Sequence, residues 1–147
     1  MKIPFGKPII GVEEFKSIKK VLNSSRLVHG KKTEEFEESF RNFIGGGFSS
    51  SLSSCTSGLH LAYIILGVKA GDEVLVPSLS HVATVHAVEY VGAKPIFVDA
   101  DVRTGNIDLN LIQSKITSKT KALTIVHYLG FPLDMDKVTE FCKKNKI

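Results

Sequence analysis

Apolar residues recur along this chain at two different spacings, and the spacing changes partway. From Glu13 to Leu22 the large apolar side chains, Phe15, Ile18 and Leu22, fall three and four positions apart with Lys16, Lys19 and Lys20 between them. That pattern predicts a surface helix with one apolar stripe. A second helix is predicted from Thr33, with Thr33 as its cap, Glu34 and Glu35 in the first turn where the helix dipole favours acids, and Phe36, Phe40 and Phe43 as a buried stripe. Ahead of both, Pro4, Gly6, Pro8 and Gly11 predict an extended arm from Met1 to Gly11, and Asn23 to Gly30 reads as a loop. Gly45-Gly46-Gly47 ends the second helix, and Phe48 to Ser53 is a candidate strand.

Beyond Ser54 the pattern becomes an alternation of short apolar runs and helical segments. Helix Thr56 to Leu66 ends at Gly67, strand Asp72 to Pro77 is stopped by its proline, and helix His81 to Tyr90 ends near Gly92. Strand Lys94 to Asp99 leads through a polar turn to Asp108, which caps a helix with Leu109, Ile112 and Ile116 inward. Strand Ala122 to Val126, a turn at Gly130-Phe131-Pro132, and a helix capped by Asp134 with Met135, Val138 and Phe141 inward complete the chain. Strands of four to six residues alternating with helices imply right-handed βαβ units. The fold class is therefore α/β, a mostly parallel sheet flanked by helices on both faces. Ligands of such sheets gather at the carboxyl ends of the strands. The turns at Ser54–Ser57, Pro77–His81 and Val126–Tyr128 are expected at that edge.

Composition narrows the class of partner. The chain has 147 residues, enough for about one domain, and its 43% apolar content can build a core. A net charge of +4 is spread over several segments, with a small cluster at Lys143, Lys144 and Lys146. Neither a dense basic patch nor a stacking motif points to nucleic acid. No apolar run is long enough to span a bilayer, and Cys55 and Cys142 are isolated, so a reducing, cytoplasmic setting is expected.

The stretch Ser54-Cys55-Thr56-Ser57-Gly58-Leu59-His60-Leu61-Ala62-Tyr63 runs from small hydroxylated residues directly into an apolar helix. Such a helix start leaves backbone N–H groups free under a positive dipole end, which suits a phosphate, and Thr56 and Ser57 add hydroxyl donors. Ser54 or Thr56 capping a core helix accounts for the same residues.

Several blocks in register resemble the amino-terminal part of the DegT/StrS family of pyridoxal-phosphate-dependent sugar aminotransferases, which have the fold type I, aspartate-aminotransferase-like architecture. The blocks are Gly11-Val12-Glu13-Glu14, Leu27-Val28-His29-Gly30 with Phe36-Glu37, Ser54 to Ala62, Gly71 to Ser78, Ala83-Thr84, Gly92 to Asp99, Asn106-Ile107-Asp108, and Val126 to Gly130. The resemblance implies that Cys55, Thr56 and Ser57 cradle the phosphate of pyridoxal 5'-phosphate (PLP). Cys55 stands where the family usually has Gly or another small residue. It implies that His81 stacks on the pyridine ring, whereas solvent alone would satisfy a plain helix-start histidine there. His127 is expected to be a hydrogen-bonded structural residue. His29 falls in a loop that, in the family, approaches the partner subunit's active site.

The same resemblance implies an amino group moved, from glutamate, to a keto-sugar nucleotide in amino-sugar or cell-surface polysaccharide biosynthesis, by a homodimer, with no metal, no nucleic acid and no membrane. It also places the Schiff-base lysine and the carboxylate that pairs with the pyridine nitrogen beyond Ile147. Lys69, Lys94, Lys119 and Lys121 are expected on the edge away from the pocket. Residues 1–32 then read as an arm, helix and loop, and 33–147 as an incomplete PLP-binding α/β large domain with an unpaired sheet edge. By itself such a chain is expected to be inactive. The alternative is a truncated, non-catalytic remnant or an interaction module of that family.

Overall fold

The computed structural model describes Pro4 and residues 6–147. These form two compact units, one ending at Ser51 and one beginning at Leu52.

The first unit holds two helices, α1 (Val12–Leu22) and α2 (Lys31–Phe43). The Glu14 carboxylate accepts a hydrogen bond from the Gly11 amide at 2.7 Å, tying the first turn of α1 to the residue before it. Helix α2 starts three residues earlier than its sequence suggests. Gly30, extended at φ −91° and ψ 175°, is its N-cap, and the Thr33 amide donates to the Gly30 carbonyl at 2.9 Å. Thr33 is therefore inside the first turn and does not cap the helix. The Phe stripe also differs from expectation: Phe36, Phe40 and Phe43 are 58%, 46% and 87% exposed. Phe36 and Phe40 pack on each other along the helix, ring centroids 6.1 Å apart.

Phe48 to Ser53 is not a strand; no residue of that segment pairs in a ladder among the described residues. The Glu37 carboxylate of α2 takes the Ser51 amide at 2.7 Å and the Ser51 hydroxyl at 2.9 Å, so this backbone donor is used by a side chain and is not available to a ladder.

The second unit is the α/β part. Its elements are α3 (Cys55–Ile65), β1 (Glu73–Pro77), α4 (Ala83–Tyr90), β2 (Lys94–Val98), α5 (Leu109–Ile112) with a 3-10 turn after it, β3 (Thr120–Leu123) and α6 (Met135–Asn145). The three strands are parallel in the order β2-β1-β3. A register shift after Glu73 bulges β3 at Lys121, and the Thr124 amide still donates to the Leu75 carbonyl at 2.8 Å.

Alternation along β1 builds a core on each face of the sheet. Val74 and Val76 join Tyr63, Val68, Ala87, Val88, Ala93 and Ala122 under α3 and α4. Leu75 points the other way, to Val98, Ile107 and Ile112, with Phe141 of α6 packed beside them. The chain thus goes from β1 over one face to β2, then back over the other face to β3. Right-handed crossovers in opposite directions require that arrangement.

Candidate functional site

The order β2-β1-β3 fixes where a ligand crevice falls. The loop after β1 leads to α4 on one face, and the segment after β3 leads to α6 on the other, so adjacent strands send their chains apart at their carboxyl ends. His81 lies on the first of these segments and His127 on the second.

Helix α3 points its N-terminus at the same edge. The segments after α3 and after α4 meet at the opposite edge, where a Cβ on Gly92 would stand 3.2 Å from that of Ala70. Both helices therefore end by the amino ends of the strands and begin by the carboxyl ends. Lys94 opens β2, Lys119 precedes β3 and Lys121 is its second residue, and Lys69 lies in the turn before β1. All four are exposed on or near the edge away from the α3 and α4 N-termini.

At the start of α3 the small residues satisfy one another and leave a defined set of donors. Ser54 is the N-cap: its Oγ accepts from the Ser57 amide at 3.1 Å and lies 2.9 Å from Ser57 Oγ, which is 3.3 Å from Ser53 Oγ. The Gly58 amide donates to the Ser54 carbonyl at 3.2 Å. The amides of Cys55 and Thr56 and the Thr56 hydroxyl have no acceptor among the described residues. Cys55 is exposed, and Thr56 and Ser57 are half-buried. Ser54 thus performs the capping role that sequence left open between it and Thr56, and the cap leaves two amides and a hydroxyl without an acceptor among the described residues. An anion fits that donor set.

His81 precedes α4, and its exposed ring is held by the backbone. Nδ1 accepts from the Ala83 amide at 3.1 Å, so a neutral ring carries its proton on Nε2. That is more specific than solvent satisfaction, and it sets the plane of the imidazole. Beside it, the Ser80 and Thr84 hydroxyls are 2.6 Å apart. His127 is hydrogen-bonded as its position suggests, Nδ1 accepting from the Leu133 amide at 3.1 Å.

Two supports of this edge escaped sequence reasoning. The buried Asn106 accepts from the Tyr128 amide at 2.7 Å and donates to the Phe131 carbonyl at 3.0 Å, pinning the turn after His127. Tyr63 of α3 shares a buried hydrogen bond with Thr124, the residue that follows β3. Asn106 stood in the sequence only as part of a polar turn and of the Asn106-Ile107-Asp108 block, without any sign of the two bonds it makes. Nothing local marks the second, since its partners are far apart in sequence.

A parallel sheet covered on both faces, with a hydroxyl-rich helix start at its carboxyl edge, defines a doubly wound α/β protein. The sequence pattern of the DegT/DnrJ/EryC1/StrS aminotransferase family matches residues 8–147, and the chain belongs to that family. It is 42% identical over 141 residues to an uncharacterized protein of Methanocaldococcus jannaschii, covering 96% of this chain and 36% of that one. It is 39% identical to the UDP-4-amino-4-deoxy-L-arabinose–oxoglutarate aminotransferase of Shewanella sediminis, covering 99% and 37%. Among solved structures, PseC of Helicobacter pylori, an aminotransferase involved in the biosynthesis of pseudoaminic acid, superposes with a TM-score of 0.93 at 30% identity, covering 100% of this chain and 40% of that one. The chain spans about a third of the length of the curated relatives it matches. No helix among the described residues is long and apolar enough to cross a membrane.

Proposed function

We propose that this chain supplies the phosphate-binding and ring-stacking part of a PLP-dependent aminotransferase that moves an amino group from glutamate to a keto-sugar nucleotide. Family membership supports the reaction class, and the free donors at the start of α3 are the single observation that carries the cofactor assignment.

The amides of Cys55 and Thr56, with the Thr56 hydroxyl, would take phosphate oxygens at the positive end of α3. Ser57 is already engaged by Ser54 and Ser53, so its part is to hold the turn in shape and offer its hydroxyl as a neighbour. His81, its plane set by the Ala83 amide, would lie against the pyridine ring with Nε2–H outward. PLP bound there supplies an electron sink for breaking bonds at an amino-bearing carbon. The four lysines considered above sit toward the opposite edge of the sheet, so the 147-residue chain alone is proposed to bind the phosphate without transaminating. A homodimer and a nucleotide-sugar substrate are part of the same proposal.

The phosphate assignment is checked by titrating the chain with PLP, following the ³¹P resonance, and with pyridoxal, which lacks the phosphate, following chain amide shifts. PLP should bind, pyridoxal should not, and Thr56→Phe should abolish binding. Equal binding of pyridoxal, or full binding by Thr56→Phe, overturns it.

A further inference from the structure

Three polar side chains are buried among the described residues, Thr84, Asn106 and Thr124. A buried polar group costs free energy unless it is hydrogen-bonded, and removing both partners of such a bond in favour of apolar groups of the same shape is often neutral. All three are bonded, and each bond reaches a segment at the carboxyl edge of the sheet. Thr124 holds Tyr63 of α3, and Asn106 holds both sides of the turn after His127. Thr84, the second residue of α4 and only 5% exposed, is the third: its hydroxyl lies 2.6 Å from that of Ser80.

Residue 81 is thereby held at three points. Ser80, directly before it, is tied through its hydroxyl to Thr84. The His81 carbonyl accepts from the Thr84 amide at 3.0 Å, and the His81 ring accepts at Nδ1 from the Ala83 amide at 3.1 Å. Upstream, the Ser78 amide donates to the Val98 carbonyl at 2.9 Å and so anchors the end of β1. The backbone of Leu79 and Ser80 makes no hydrogen bond among the described residues, which leaves the Ser80–Thr84 pair to fix the far end of this bridge from strand to helix. A valine at position 84 would fill the same space and lose only that tie.

We infer that Thr84 is a positioning residue: through Ser80 and the turn between them it holds the His81 imidazole in one plane for the ring of a bound cofactor. The cofactor rests on the PLP reading above, whereas the hold on the ring rests on hydrogen bonds alone. Thr84 is itself enclosed, so it acts through His81 and not by contact with a ligand. A hydroxyl pair suits this task because it fixes direction as well as distance, and a buried partner is not readily exchanged for water.

Three variants of the full chain test it. Thr84→Val keeps the volume and removes the bond, Ser80→Ala removes it from the less buried side, and Thr84→Ser keeps it. Nitrogen-15 spectra of the His81 ring and hydrogen exchange at the Ala83 amide are read first, with no cofactor present. Thr84→Val and Ser80→Ala should each mix the two neutral tautomers of His81 and speed Ala83 exchange about tenfold, with exchange in β1 unchanged, and Thr84→Ser should stay close to the parent. In ³¹P titrations the first two variants should bind PLP about tenfold more weakly and inorganic phosphate as before, because the donors at the start of α3 are untouched. Parent-like His81 spectra and Ala83 exchange in both variants overturn the inference, as does an equal loss of PLP and phosphate, which would mark a general disturbance of the fold. A loosened ring with parent-like PLP affinity would uphold the hold on His81 and overturn the stacking assigned to it, so the two readings fail separately.

Discussion

Tyr63 and Thr124 join hydroxyls inside the core, fastening α3 to the carboxyl end of β3 across the sheet. Tyr63 is 4% exposed and Thr124 is 9% exposed, so neither hydroxyl has an easy alternative partner in water. The bond is the tie between the helix whose N-terminus holds the free amides and the strand whose end carries His127. Tyr63→Phe should therefore lower stability by about 1–2 kcal/mol, because it leaves the Thr124 hydroxyl buried without a partner. Urea denaturation measures this.

The same pair makes a prediction at high pH. Burial pushes the Tyr63 phenol above its ordinary value, and the Thr124 hydrogen bond offsets part of that rise. A raised folded-state value means that its stability is fully present below the unfolded value, about 10, and is lost as pH rises through the folded one. The alkaline fall in stability should be shallower in Tyr63→Phe than in the parent chain. Parallel curves would contradict the assigned burial of the phenol.

Ser54 separates capping from ligand binding. Ser54→Ala removes the acceptor of the Ser57 amide and should cost about 1 kcal/mol of stability, the usual loss for a serine N-cap. It also frees a third amide at the turn. Phosphate affinity should then hold or rise while the melting temperature falls, and a loss of both together would mean that Ser54 shapes the turn more than it caps it.

Much of the α/β part was legible because its signals are local and repeated. Asp134 and Asp108 read as caps, and both side chains accept backbone hydrogen bonds in those roles, from Lys137 and Asn110. Proline ended β1, and single-face periodicity gave the inward residues of α5. The first unit was harder for a physical reason. Periodicity shows which helix face is apolar without showing what lies over it, and Phe36, Phe40 and Phe43 proved exposed. The start of α2 was misplaced because an extended glycine can cap a helix without any side-chain signal, so Thr33 drew the assignment. The helix start at Ser54–Ser57 was legible from its small hydroxylated residues. The choice between Ser54 and Thr56 as the cap needed backbone angles.

Glu37 offers a test within the first unit. Hydrogen bonds from the Ser51 amide and hydroxyl, in that order, hold its carboxyl below the usual range. Stability from this tether is present above the unfolded value, about 4.3, and is lost as pH falls through the lower folded one. The Ser51 amide proton should move upfield with a midpoint below that of a free glutamate, and Glu37→Gln should remove the titration. A midpoint at or above the free value would show the tether is absent in solution.

His81 is restrained by the Ala83 amide, and the restraint is what sets its ring plane at the start of α4. Nitrogen-15 spectra of the neutral side chain should show the Nε2–H tautomer, since Nδ1 is occupied as an acceptor. A dominant Nδ1–H form would remove the restraint and with it the reason for a fixed ring.

The turn after His127 depends on two neighbours on the opposing loop, and they fail in different ways. Gly105 has φ +71°, and a Cβ there would come 2.6 Å from the Tyr128 ring, so Gly105→Ala meets both backbone strain and a clash. Asn106 fits its amide to both sides of the turn, and Asn106→Ala leaves the Tyr128 amide and the Phe131 carbonyl without their partner. Each substitution should cost about 1–3 kcal/mol, the first from strain and the second from lost hydrogen bonds. Asn106→Asp separates hydrogen bonding from packing, because a carboxylate can still accept from Tyr128 but cannot donate to Phe131. It should fall between the parent and Asn106→Ala near neutral pH and move toward the parent in acid, where the protonated carboxyl regains a donor. Tyr128 amide exchange is the local readout. Rapid exchange in Asn106→Ala with slow exchange retained in Asn106→Asp is expected, whereas equal protection in all three chains would mean that the Asn106 side chain does not hold the turn.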